Sequence, residues 1–201
     1  MLDRFINENT YFLSSCKNTI ENSSLKNHGY LKSRMWSQYG ENHEGACLVF
    51  SKNKLVSAVT QKYKDEEYLI YHGDVIYKDY VNENSRHDSI DINHDTFDTS
   101  SPQEIAIQHI TKYKNEFLLC KQLDYRDEEE FRIVLLKKEF GKTQYIAPEP
   151  KLGDCLIGVI VGDRFPKVYS SLLDTLSNKL GVSCRRLHWM SGEYYLLSNK
   201  G

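Results

Sequence analysis

Glu128-Glu129-Glu130-Phe131-Arg132 sets two carboxylates and a guanidinium at two-residue spacing, directly ahead of the apolar run Ile133-Val134-Leu135-Leu136. An unbroken aliphatic run of this kind reads as a strand buried on both faces. If the strand begins at Glu128, then Glu128, Glu130 and Arg132 share one face, while Glu129 and Phe131 take the other. Charges leading into a core are costly unless they are paired, hydrated or used. Neighbouring carboxylates raise one another's pKa, which suits one of them to general-base work or to holding a substrate hydroxyl. Arg132 would then hold an anion or the other carboxylate. The same row also fits a structural ion pair at a strand entrance, and the residues alone leave both readings open.

A second concentration of chemistry lies at residues 34–45, Arg-Met-Trp-Ser-Gln-Tyr-Gly-Glu-Asn-His-Glu-Gly. Aromatic rings stack on ligands and Asn or His supply directed hydrogen bonds, so Arg34, Trp36, Tyr39, Asn42 and His43 are candidate ligand contacts. The plainer reading puts Trp36 and Tyr39 in a core and leaves His43 to cap a turn. The stretch Gly158 to Arg164 runs from a strand into a helix start, where an anion such as phosphate can bind, but it has neither G-x-G-x-x-G nor a Walker lysine. It reads as packing and turn chemistry. Cys184 to His188 reads as a solvated edge strand with a small basic patch. The five cysteines are widely spaced and form no C-x-x-C pair, which argues against a disulfide framework and a zinc site. No metal site is expected.

The elements that must position these residues are those of one compact domain spanning 1–201. Gly40 closes a short helix over residues 30–40, and a strand follows at 46–51. Leu55, Val56, Val59 and Tyr63 mark a helix over residues 52–63. Tyr68 to Tyr71 and Val75 to Tyr77 read as a tight hairpin or a bulged strand. Ser101-Pro102-Gln103-Glu104 is a helix start with a capping box, and that helix is expected to run to Leu119 or Cys120. Pro166 opens a helix carrying Val168, Leu172, Leu173, Leu176 and Leu180 inward, with Gly181 as its cap. Residues 10–15, 155–161, 182–190 and 194–197 read as strands, and Gln144 to Ala147 as a hairpin partner of the central one. Residues 18–28 and the acidic stretch 79–101 read as loops. Asp88, Asp91 and Asp95 lack the glycine and distal Glu of an EF-hand. The fold class is α+β: a single domain with a mixed, largely antiparallel sheet packed by about three to four helices.

A formal net charge of −2 removes any global basic field, so nucleic-acid binding driven by overall charge has no support. The N-terminus lacks the basic and apolar segments of a signal peptide, and the longest apolar run is too short to cross a bilayer. A cytoplasmic protein is expected.

Met35-Trp36, Tyr39, Asn42-His43, Gly45 and Cys47 leading into a strand resemble the signature of the uncharacterised bacterial family DUF2971. Its second hallmark, a Lys, an aromatic and a Glu-x-Glu-x-Arg entering a strand, is matched by Lys121, Tyr125, Glu128, Glu130 and Arg132. Tyr125 stands where that family usually has Trp. The ending Ile157 to Gly162 fits its C-terminal strand. An earlier aromatic-basic strand with an Asn-Asp-Pro turn has no counterpart here, so the resemblance implies a member without its N-terminal segment. Members occur in bacterial genomes, sometimes near phage-defence genes. Glu128-x-Glu130 is also similar to the glutamate motif of ADP-ribosyltransferases, which implies a transferase site with NAD or another nucleotide as cofactor. The alternative is a non-catalytic module that binds a small molecule, nucleotide or partner through the loop from Trp36 to His43. Whether the protein is an enzyme stays open.

Overall fold

A computed structural model describes residues 2–21, 24–64, 68–79, 100–139 and 153–198, with the backbone alone between 19 and 27. The elements are α+β, and their strand pairs are both antiparallel and parallel. The polar stretch at 80–99 with Asp88, Asp91 and Asp95, and the expected hairpin partner at 144–147, lie outside the described residues.

The chain gathers into two compact units, one of residues 1–17 and 60–149, the other of residues 18–59 and 150–201. In the first unit, helix α1 (Leu2–Asn9) leads into strand β1 (Thr10–Cys16). Strand β8 (Glu130–Lys137) lies between β1 and β5 (Tyr68–Asp74), antiparallel to both. As expected for a doubly covered strand, Phe131 and Ile133 to Leu136 are all buried. Val134 and Leu136 share a core with Phe5, Ala106, Ile110, Leu118 and Leu119. Ala106 and Ile110 come from α4 (Pro102–Lys112), whose capping box forms as expected: the Ser101 hydroxyl accepts from the Glu104 amide, and the Glu104 carboxylate accepts from the Ser101 amide.

Three expectations need correction in this unit. The apolar stripe after Ser101 does not make one long helix, because Tyr113 leaves helical geometry (φ −111°, ψ 33°) and a separate short helix α5 (Lys114–Phe117) follows. No hairpin forms around Gly73, since β5 runs through it. β6 (Ile76–Lys78) then pairs in parallel with β7 (Cys120–Gln122) in a different sheet. Finally, β8 begins at Glu130 rather than Glu128. Residues Leu123–Glu128 form a 3₁₀ turn that Glu129 ends in the left-handed region, at φ 45°.

In the second unit, the sheet order is β11-β10-β9-β4, built from β4 (Ala46–Phe50), β9 (Leu156–Val161), β10 (Ser183–Met190) and β11 (Glu193–Ser198). β9 and β10 are parallel, whereas the other two pairings are antiparallel. β10 is therefore an interior strand, and the edge-strand reading of Cys184 to His188 is corrected. Residues 18–28 are not wholly loop either: Thr19–Glu21 and Ser24–Asn27 pair as the short antiparallel strands β2 and β3. Trp36, from α2 (Ser33–Tyr39), packs with Ile160 and Leu187 in the core. Helix α6 (Ser170–Leu180) ends at Gly181 in the left-handed region, as expected. The expected stripe is not buried: Val168, in the 3₁₀ turn before the helix, is 81% exposed, Leu172, Leu176 and Leu180 are exposed, and Leu173 is half-buried. Helical periodicity identifies an apolar face but cannot say that anything covers it. Helix α3 (Lys52–Tyr63) carries the chain from the second unit to the first.

Candidate functional site

The first unit brings Glu128, Glu130 and Arg132 together, though not by the route their spacing implied. Glu130 and Arg132 alternate along β8, while Glu128 reaches them from the preceding turn through the left-handed kink at Glu129. Glu128 and Glu130 are 3% and 5% exposed. Arg132 grips Glu130 with two parallel bonds, Nε donating to Oε1 at 2.6 Å and Nη2 to Oε2 at 3.1 Å. Its Nη1 also donates to the Leu118 carbonyl at 3.1 Å. Lys121 Nζ lies 2.5 Å from Glu128 Oε2, 3.6 Å from Glu130 Oε2 and 4.4 Å from the centre of the Tyr125 ring. The Tyr77 hydroxyl accepts from the Glu130 amide at 2.9 Å.

Burial alone pushes the Glu130 carboxyl up. The hydrogen bonds from Arg132 and Ser14, with the charges of Arg132 and Lys121, overcome this and hold it below the ordinary glutamate value. A general base for neutral pH needs the opposite displacement. Each buried carboxylate here already has a cation at short range, which is the arrangement that makes buried charge tolerable.

In the second unit the chemistry gathers at residues 40–45. Glu41, Asn42 and His43 adopt φ values of 48°, 52° and 74°, three left-handed residues in succession without a glycine among them. Asn tolerates that region, whereas Glu and His do so at a cost of roughly 1–2 kcal/mol each. The turn is held because the Gly45 amide donates to the Gly40 carbonyl at 2.9 Å and the Arg164 amide donates to the His43 carbonyl at 3.0 Å. The close approach requires glycine at 162, since a Cβ there would collide with the His43 carbonyl.

This turn delivers the His43 imidazole between two rings, stacked on Trp36 at 5.8 Å and 12°, and tilted against Tyr194 at 6.0 Å. The Tyr194 ring meets Trp189 edge-on at 4.7 Å, and its hydroxyl donates to Ser33 Oγ at 2.8 Å. His43 Nδ1 is buried and meets no hydrogen-bond partner among the described residues. Ser33, His43, Asp163, Arg164, Trp189 and Tyr194 together line a cavity of about 320 Å³. Asp163 Oδ1 lies 3.1 Å from His188 Nδ1.

Of the five sequence candidates at 34–43, only His43 is among the residues lining this cavity. Trp36 is 3% exposed, its indole donating to the Tyr30 carbonyl at 2.7 Å, so it supports the ring of His43 from the core side. Asn42 accepts from the Ser37 hydroxyl at 3.3 Å and shapes the turn. Tyr39 is 65% exposed and Arg34 is exposed. Sequence reasoning set Asp163 and Arg164 aside as turn chemistry and missed Ser33, Trp189 and Tyr194. The signal was in hand for Asp163 and Arg164, which follow a glycine at the end of a buried strand. Trp189 and Tyr194 offered only a hairpin pattern.

Among the described residues no group of three His, Cys, Asp or Glu is placed to hold a metal ion. Burial pushes the Cys47 and Cys184 thiols up, away from the reactive thiolate. Among the same residues no helix is long and apolar enough to cross a membrane. No curated protein and no solved structure matches the chain. One family model does, described as protein of unknown function (DUF2971), over residues 35–133. That span contains both the turn around His43 and the network around Glu130, and through it the chain belongs to the DUF2971 family.

Proposed function

We propose that the second unit is a small-ligand recognition module whose site is the cavity beside His43. One observation carries this reading: a strained left-handed turn sets the imidazole on a cavity that five further side chains from other parts of the unit also line. Backbone held in a sparsely populated region persists only where the surroundings enforce it, and such strain clusters at binding and catalytic sites. The volume sits at the lower end of the range for small-molecule pockets. Aromatic walls with a few convergent polar groups are the usual composition of such sites. Because Nδ1 has no partner among the described residues, no hydrogen bond at that atom selects the tautomer of His43. A ligand is free to select it.

This reading assigns Glu128, Glu130 and Arg132 to folding. The transferase and defence readings draw no support from the comparisons, and a carboxylate bound two-fold by Arg132 is poorly placed to hold a ribose hydroxyl. A thermal-shift screen of metabolite-sized compounds tests the proposal. Hits should stabilise the wild type and the Tyr39→Ala variant equally, and should lose their effect in Trp189→Ala and in His43→Asn, which keeps a side chain tolerant of left-handed backbone. Hits that survive both cavity variants and vanish in Glu130→Gln would return the site to the first unit.

A further inference from the structure

The turn after β9 brings one guanidinium and one carboxylate to the cavity, and that carboxylate is already engaged. Asp163 lies against His188 Nδ1 at 3.1 Å and is the one acidic residue among those lining the cavity. Arg164 follows it on the same turn, is exposed, and has no carboxylate within ion-pair distance among the described residues. Behind the turn stands Arg186, only 8% exposed. Its Nη1 donates to the Phe165 carbonyl at 2.8 Å and approaches the Gly162 carbonyl at 3.5 Å. The guanidinium also lies over the Phe165 ring, 5.9 Å from its centre. It thereby ties down the backbone on both sides of Asp163 and Arg164. No carboxylate among the described residues neutralises it either.

A buried guanidinium satisfied by carbonyls alone keeps its full charge in a poorly screened setting, where its field reaches further than it would in water. Arg164 adds a fork of donors matched to the two oxygens of a phosphate or carboxylate. Trp189 and Tyr194 supply the flat apolar wall beside it, at an edge-to-face contact of 4.7 Å. Resting on the cavity reading above, we infer that the site takes an oxyanion-bearing small molecule, its anionic group received by Arg164 and its flat body lying against Trp189. The shared chemistry is the oxyanion, supplied by either a phosphate monoester or a carboxylate.

Phenyl phosphate, benzoate and benzyl alcohol present the same flat body with a dianion, a monoanion or no charge. Titrated into ¹⁵N-labelled protein, the two anions should shift the Arg164 and His43 amides and the Trp189 indole resonance, and the alcohol should bind at least tenfold more weakly. Arg164→Met should remove the preference for the anions, Arg164→Lys should restore part of it, and raising salt should weaken the anions selectively. A larger response to phenyl phosphate than to benzoate identifies a phosphate monoester as the source, and the reverse identifies a carboxylate. Equal binding of all three, unchanged by Arg164→Met, overturns the anion inference and leaves the cavity reading standing. No shift at these resonances with any of the three overturns both.

Discussion

At the scale of the residue, Glu130 is the most constrained group in the first unit. Removing one partner of a buried ion pair strands the other, a loss of about 3–5 kcal/mol. Glu130→Gln should therefore lower unfolding free energy by about 3 kcal/mol in urea denaturation, while Tyr39→Ala at an exposed position should change it by less than about 0.5 kcal/mol. The pH dependence has a definite sign. Because the folded-state pKa of Glu130 is depressed, its contribution is present above the unfolded value of about 4.3 and is lost as pH falls through the folded value. The gap in stability between wild type and Glu130→Gln should accordingly shrink below about pH 4. Spacing did reveal that Glu128, Glu130 and Arg132 belong together. It did not reveal Lys121 as their common cation, which arrives from β7 on a parallel pairing with β6 that no local pattern encodes.

At the scale of the element, short-range rules served well where the signal is covalent or local. The Ser101 capping box, the Gly40 and Gly181 helix ends and the limits of β4 and α3 all lie in the sequence as side-chain chemistry. Ser101→Ala should cost about 1 kcal/mol, read as a fall in melting temperature. The misses share another cause, since they depend on what an element meets. β10 reads as an edge strand until β9 and β11 flank it, and the stripe on α6 reads as core until its exposure is seen. Leu172→Gln should thus be nearly neutral in denaturation, within about 0.5 kcal/mol, whereas a buried leucine such as Leu187 truncated to Ala should cost about 2–5 kcal/mol. The left-handed turn at Glu41 to His43 was hidden for the same reason. Its enforcing contact is Gly162, far along the chain, and Gly162→Ala should destabilise the protein and also abolish ligand-induced shifts at His43.

At the scale of the molecule, the span matched by the family model divides between the two compact units, with the ion network in one and the left-handed turn in the other. Each has its own physical purpose: the network lets charge enter the mouth of β8, and the turn sets an imidazole against a cavity. The α+β class was legible from the alternation of strand and helix patterns. The site was legible only in outline, because the loop at 34–45 contributes His43 and its supports, while most of the wall comes from residues more than a hundred positions later. The most direct measurement uses the two tryptophans, one stacked on His43 and the other lining the cavity with it. Trp36 is buried and bonded to Tyr30, and Trp189 lines the cavity. With phenyl phosphate added, the indole N–H resonance lost in Trp189→Phe should move in the wild type in a saturable way, and the Trp36 resonance should move less. A titration in which neither indole moves, or in which the amides around Glu130 respond instead, would contradict the placement of the site beside His43.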